Sequence, residues 1–303
     1  MTTKRVVITG ASGLIGSGLV TALRERGDAV VTLVRSSPDG GLPPDTHVWG
    51  PRTGSLEPSV LRGADAVVVL NGVPIGDKRW NEERKALLLS SRVEAVGTVA
   101  RTMAKMDDPP PVLVTASAMG IYGDRGDDVL TESEPVGKGF FAELCAAWEA
   151  ASRPAKTAGI RVVNTRTSLV LSNRGGTLAP MIPLFKLGVG GRIGDGKQWW
   201  SWISDEDCIR AFLHVIDNEI SGPVNVASPN PVTNREFTKG LGSALRRPTF
   251  LPTPRIALNI RLGSELADAV AYVSHRLEPG VLRGSGFTFN HPTIDSALEA
   301  ALT

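Results

Sequence analysis

Three glycines near the start of the chain carry the strongest chemical signal. In Gly10-Ala11-Ser12-Gly13-Leu14-Ile15-Gly16 they stand between a short apolar run, Val6–Thr9, and a stretch with helical spacing of Leu14, Leu19, Val20 and Leu23. A strand that turns directly into a helix offers an anion the helix's unpaired N–H groups and the positive end of its dipole. Glycine in the turn lets the backbone approach a pyrophosphate, and the last glycine lets helix and strand pack closely. The spacing therefore predicts a dinucleotide cradle over 10–16, with Ser12, Leu14 and Ile15 inside it. No Gly-Lys-Ser/Thr follows, which excludes a P-loop. The next strand, Ala29–Val34, ends at Arg35, 19 residues after Gly16; the first acid, Asp39, comes only beyond Pro38. A carboxylate there would hold a free ribose 2′-hydroxyl, whereas an Arg would hold a 2′-phosphate. Arg35 therefore favours NADP(H) over NAD(H), a solvated surface Arg being the alternative.

Other side chains could act on a substrate. Ser117 lies at the end of the apolar run Val112–Ala116, at the carboxyl edge where parallel sheets collect ligands. It either hydrogen-bonds a reacting oxygen or finishes the strand. Tyr122, five residues on, either carries a proton or packs in the interior. Lys78-Arg79-Trp80 follows the strand Ala66–Leu70; a basic pair beside an aromatic ring suits a phosphate or carboxylate, or forms a solvated loop. Gln198 with Trp199, Trp200 and Trp202 lines the cleft from a second lobe or builds that lobe's core. His47, His214, His275 and His291 are scattered without metal-ligand spacing, so no metal is expected.

The elements that must position these groups alternate. Short β-branched runs at Val6–Thr9, Ala29–Val34, Ala66–Leu70, Val112–Ala116 and Ile160–Leu171 are separated by helical patterns at Leu14–Arg26, Glu82–Met106 and Phe140–Ala158. Continuous apolar strands indicate a parallel sheet covered on both faces. Strand–helix repetition indicates a doubly wound α/β fold. The texture changes near residue 172, where Gly-rich loops and the tryptophan cluster begin. A Rossmann domain over 1–171, joined by a helix and strand in 205–229, is expected. Residues 172–204 and 230–303 should build a smaller, mostly helical substrate lobe.

Composition narrows the classes. The 303 residues are 42% hydrophobic and 21% charged, as in ordinary globular chains. Lys and Arg number 33 against 31 Asp and Glu, and the charges are dispersed, which argues against nucleic acid. Two distant cysteines, Cys145 and Cys208, form no disulfide framework and suit a reducing, cytoplasmic setting. No uncharged stretch approaches the roughly 18 residues that span a bilayer, so no membrane partner is expected. The opening, Met1–Ile8, with its short apolar run, reads as the first strand.

On these residues the chain resembles the extended short-chain dehydrogenase/reductase superfamily. Asp65-Ala-Val-Val-Val-Leu70-Asn71-Gly72 resembles its fourth-strand motif, and Ser117-Ala-Met-Gly-Ile-Tyr122-Gly123 its fifth-strand serine motif. More narrowly, Pro74–Trp80, Gly139–Cys145, Trp148-Glu149, Gly194–Gln198, Ser201–Ser204 and Gly286-Phe-Thr-Phe289 are similar to an atypical subgroup of epimerase-family proteins, the last phrase resembling its characteristic C-terminal segment. The resemblance covers essentially the whole chain. It implies NADP(H) held additionally by Leu70, Asn71 and Gly72, with Asp65 on the adenine side. Extended members often dimerise through the helices matching Glu82–Met106 and Phe140–Ala158, so a homodimer fits.

One departure bears on mechanism. The superfamily's acid/base is a Tyr followed four residues later by a Lys. Here Tyr122 and Tyr272, the two tyrosines, are followed at that offset by Gly126 and Arg276. The aligned positions hold Phe141 and Cys145, which should flank the substrate together with Arg79, Trp80, Gln198 and Trp202. A phenyl ring has no proton to exchange. The expectation is an NADP(H)-dependent oxidoreductase or epimerase-like enzyme of atypical chemistry, acting on a small polar anionic or sugar-like substrate, with Ser117 and Tyr122 doing the work. The competing reading is a non-catalytic NADP(H) sensor or partner-binding protein.

Overall fold

A computed structural model describes residues 3–37 and 41–302, so Asp39 lies outside the described residues. Seven strands form the central sheet: β1 (Arg5–Thr9), β2 (Ala29–Val34), β3 (Thr46–Val48), β4 (Ala66–Val69), β5 (Val112–Ala118), β6 (Arg161–Thr167) and β7 (Gly222–Val226). Their spatial order is β7-β6-β5-β4-β1-β2-β3, and every neighbouring pair is parallel. The order reverses beside β1, between β1 and β4, and that is where doubly wound sheets open a ligand crevice.

The continuous apolar strands are explained by cover on both faces. On one side α2 (Glu82–Met103) and α3 (Phe140–Ala150) bury Leu88, Val96, Leu144 and Trp148 against Val67 and Leu113. On the other, α1 (Leu14–Glu25) and α4 (Asp205–Asp217) bury Leu19, Leu23, Phe212 and Val215 against Val6, Val68 and Val114. Each fully buried side chain of this size contributes about 1.5–3 kcal/mol of transfer free energy.

The boundaries differ from the sequence pattern where local chemistry intervenes. The helix expected to reach Ala158 stops at Ala150, and a separate turn, Arg153–Thr157, starts with Pro154 near its N-terminus. Proline has no N–H to continue the ladder of the preceding helix. The strand expected over 160–171 is split: β6 ends at Thr167, and Leu169–Ser172 pairs instead with Trp202–Ser204. That break at Ser168 passes the chain into the second lobe. There α5 (Asn234–Ala244), α6 (Arg255–Leu262) and α7 (Ile294–Leu302) are found. Trp200, Trp202, Phe237, Leu241 and Leu298 are among its core residues. The edge strand β3 has no clear sequence signal because it is three residues long, two of them exposed.

The tail is less separate than expected. Residues 280–291 return to the nucleotide-binding layer: Phe287 stacks edge-on with His214 of α4 and with Phe289, and Arg210 donates to the Thr288 carbonyl. Buried Asp207 accepts the backbone N–H groups of Asn290 and His291 at 2.9 and 2.8 Å. Asp207 thus pins the tail, while the α4 N-cap is Ser204. Among the described residues no helix is long and apolar enough to cross a membrane.

Candidate functional site

The cradle is built by close backbone approach. Gly10 has φ +72°, and a Cβ there would lie 2.8 Å from the Leu70 carbonyl carbon. A Cβ on Gly16 would overlap the Gly10 carbonyl oxygen and stand 2.9 Å from Ala11 Cα. Gly13 is the N-cap of α1 and has no side-chain cap; a Cβ there would meet only the Gly10 oxygen, at 3.4 Å. Gly10 and Gly16 are therefore demanded by packing, whereas Gly13 keeps the space before the helix N-terminus open. Leu14 and Ile15 line that space together with Leu70, Asn71 and Gly72. Arg35 follows the last residue of β2, exposed, with no partner among the described residues. These features fit a dinucleotide: helix N-terminal N–H groups for the pyrophosphate, and an exposed cation at the strand end for a 2′-phosphate.

The cradle opens into a cleft of about 360 Å³ at the carboxyl ends of β1, β4, β5 and β6, lined also by Ser117, Arg92, Phe141 and Trp148. Ser117 is buried, and its Oγ donates to Glu149 Oε1 at 2.7 Å. The same carboxylate takes Arg166 Nε at 2.9 Å and Nη2 at 3.1 Å. Arg166 Nη1 donates to the Tyr122 hydroxyl at 3.0 Å, which donates in turn to Asn225 Oδ1 at 2.6 Å. The Tyr122 assignment is thereby corrected. Its side chain is 0% exposed, its hydroxyl has a donor and an acceptor within the protein, and burial pushes its pKa up to about 12. It braces β7 and does not reach the cleft.

Residues 6–227 match the NAD dependent epimerase/dehydratase family, and residues 253–301 match a domain of unknown function, DUF1731. The chain belongs to the NAD-dependent epimerase/dehydratase family. Epimerase family protein MT2273 of Mycobacterium tuberculosis is 44% identical over 299 residues, 98% of this chain and 97% of that protein. The crystal structure of human epimerase family protein SDR39U1 (isoform 2), with NADPH, superposes with a TM-score of 0.89 at 29% identity, covering 99% of both chains. A nucleoside-diphosphate sugar epimerase from Corynebacterium glutamicum gives 0.81 at 34% identity, over 99% of this chain and 58% of that one.

Within this epimerase-family fold, several residues expected at the site fall elsewhere. Asp65 precedes β4 and accepts the Arg5 N–H at 2.6 Å, at the amino edge of the sheet, opposite the cradle, and does not line the cleft. Cys145 is sealed in the α3 core, where burial raises its pKa to about 12. Trp202 is fully buried and gives its indole N–H to the Asn230 carbonyl. Gln198 spends its amide on the Ile193 and Ala271 carbonyls. Both hold the second lobe together. Arg79 donates to the Ile260 carbonyl of α6 and so ties the loop to that lobe. Trp80 does meet Phe141: their rings lie 6.2 Å apart, edge to face. Both border a second cavity of about 230 Å³ beside Phe140 and His275. Phe141 lines both spaces and separates the cofactor cleft from this side chamber.

Three residues of the site go beyond the sequence expectations. Glu149 and Arg166 are a largely buried ion pair, assembled from α3 and β6, that sequence spacing does not announce. Arg92 was legible: in α2 it sits four residues after Leu88 and three and four before Ala95 and Val96, within the buried stripe. A charge on an apolar helix face is an anomaly that asks for a partner.

Proposed function

We propose that this chain is an NADP(H)-dependent oxidoreductase or epimerase-like enzyme of atypical chemistry, working on a small polar substrate. The observation that carries the reading is the cradle: Gly10 and Gly16 locked by packing, Gly13 left open at the N-terminus of α1, with exposed Arg35 at the end of β2. The N–H groups of α1 would hold the pyrophosphate, and Arg35 the 2′-phosphate. NADP(H), when bound, gives or takes the hydride. SDR39U1, crystallised with NADPH, supports the choice of cofactor.

The chain's own residues shape the space around the reacting end. Phe141 and Trp148 form an apolar wall that excludes water from the inner cleft. The Ser117 proton is committed to Glu149, which is also paired with Arg166. Ser117 therefore presents lone pairs, and suits accepting a hydrogen bond from a substrate hydroxyl. With Phe141 and Cys145 at the aligned positions, the protein lacks the superfamily's proton-exchanging pair.

A second reading has its own support. Among the described residues lining the cofactor cleft, Arg92 is the one ionisable side chain, and none of them exchanges protons near neutral pH. That suits a non-catalytic NADP(H) sensor. Incubating the protein with NADPH and a panel of aldehydes, ketones and keto acids, while following cofactor absorbance, separates the two. Consumption of NADPH supports the enzyme. Tight binding without turnover across the panel supports the sensor.

A further inference from the structure

Among the described residues, Arg92 is a buried cation without a counter-charge. It is 5% exposed. Nη1 donates to the Leu88 carbonyl at 3.0 Å and, at 3.4 Å, to Ser91 Oγ; Nη2 donates to the Val73 carbonyl at 2.9 Å. Nε, buried, has no acceptor. The guanidinium lies 4.9 Å from the Trp148 ring centre and flat against the backbone at Gly72, where a Cβ would come within 3.0 Å of its carbon. The ionisable groups that face it are Cys145, a neutral thiol, and Arg84, a second cation. Arg84 has its own partner in Asp77. Burial accordingly pulls the Arg92 pKa down to about 10.

An isolated charge in such a place is costly unless something pairs with it. Arg has five N–H donors, and three backbone and side-chain acceptors do not exhaust them. Arg92 lines the same cleft as the glycine cradle, so the missing partner has a route in. Two more orphaned polar atoms, Asn71 Oδ1 and Trp148 Nε1, belong to residues of that lining. Residue 72 must be glycine for the guanidinium to approach the end of β4.

We propose that Arg92 forms a second anion subsite of the cleft, separate from the glycine cradle, which takes a phosphate or carboxylate oxygen. The inference rests on the NADP(H) reading for the cleft's main occupant. The oxygen has two possible sources: the phosphate on the nicotinamide side of the cofactor, or an acidic group of the substrate.

Wild type, Arg92→Met and Arg92→Lys are titrated with NADPH and with adenosine 2′,5′-bisphosphate, which lacks the nicotinamide half. Each NADPH-loaded protein is then titrated with oxalate and with inorganic phosphate. Charge-assisted hydrogen bonds of the usual strength make the expected loss about tenfold to hundredfold. If Arg92→Met loses that much for NADPH and stays within twofold for the bisphosphate, the oxygen belongs to the cofactor. If it keeps both and loses oxalate or phosphate, the oxygen belongs to the substrate. Arg92→Lys, which keeps the charge, should recover part of the loss in either case. Unchanged affinity for every probe overturns the proposal. So does an equal loss for all probes with a fall in Tm, since that marks a structural role in holding Val73 and Leu88. If wild type binds neither NADPH nor the bisphosphate, the cofactor reading fails on its own. Phosphate binding to the unloaded protein, present in wild type and absent in Arg92→Met, then still decides Arg92.

Discussion

The glycines of the cradle should fail in two different ways, and the geometry says which. Gly16→Ala places a methyl against main chain on all sides: it overlaps the Gly10 carbonyl oxygen and lies 2.9 Å from Ala11 Cα and the Gly10 carbonyl carbon. Carbon–carbon contacts are comfortable at about 3.5–4.0 Å, so the turn must retreat by most of an ångström. It has nowhere to go, because Gly10 already abuts Leu70 and Asn71. Overpacking of this kind costs about 1–3 kcal/mol, which at about 2–4 °C per kcal/mol lowers Tm by roughly 2–12 °C. Gly13→Val meets only one atom at 3.4 Å, and its φ of −75° suits any residue. Its side chain instead fills the space before α1. Losing a helix N-cap glycine costs at most about 1 kcal/mol, so Tm should move by about 4 °C or less. NADPH affinity should fall by about a hundredfold or more, the loss of two charge-assisted phosphate contacts. Thermal melts with and without NADPH, beside fluorescence titration, read both effects. A stable Gly16→Ala with wild-type Tm would refute the packing argument. A Gly13→Val that binds NADPH normally would place the cofactor elsewhere.

Tyr122→Phe should lower stability by about 1–3 kcal/mol, because Asn225 Oδ1 and Arg166 lose a buried partner; NADPH affinity should stay within about twofold, and a large loss of affinity with normal Tm would return Tyr122 to the site. His275, fully buried, has its pKa lowered from 6.5 to about 4 by burial. The unfolded chain then binds more protons between those values, so the native state should lose about 3 kcal/mol as pH falls from 6.5 to 4. Denaturant melts at pH 7 and 4.5 should show His275→Gln losing less than wild type, and equal losses would contradict the assignment. Arg79→Ala should leave NADPH affinity within about twofold, since Arg79 is spent on the Ile260 carbonyl; a collapse of binding would move that loop into the cofactor site.

The parts of the fold that were legible in the sequence are those where one local pattern decides. The strand–glycine–helix passage at Thr9–Leu14, the fully apolar β4 and the acid-opened helix α4 each announce themselves. Junctions did not, because they are settled by long-range pairing: Ser168 ends β6 only because Leu169–Ser172 finds Trp202–Ser204. The same limit governed the site. Tyr122 and Asp65 have suitable chemistry and motif position. The first is claimed by Asn225 and Arg166, over 100 and 40 residues away in sequence. The second lies at the wrong edge of the sheet, which spacing along one strand cannot reveal. Arg92 was the opposite case, a visible violation of its helix's apolar stripe.

The central claim is that the Gly10–Gly16 turn and Arg35 hold NADP(H). Fluorescence titration of wild type and Arg35→Ala with NADPH and NADH tests it most directly. Wild type should bind NADPH at least about tenfold more tightly than NADH. Arg35→Ala should erase that preference by weakening NADPH alone, through loss of about 1.5–3 kcal/mol at the 2′-phosphate. Equal affinity of wild type for the two cofactors, or no binding of either, would contradict it.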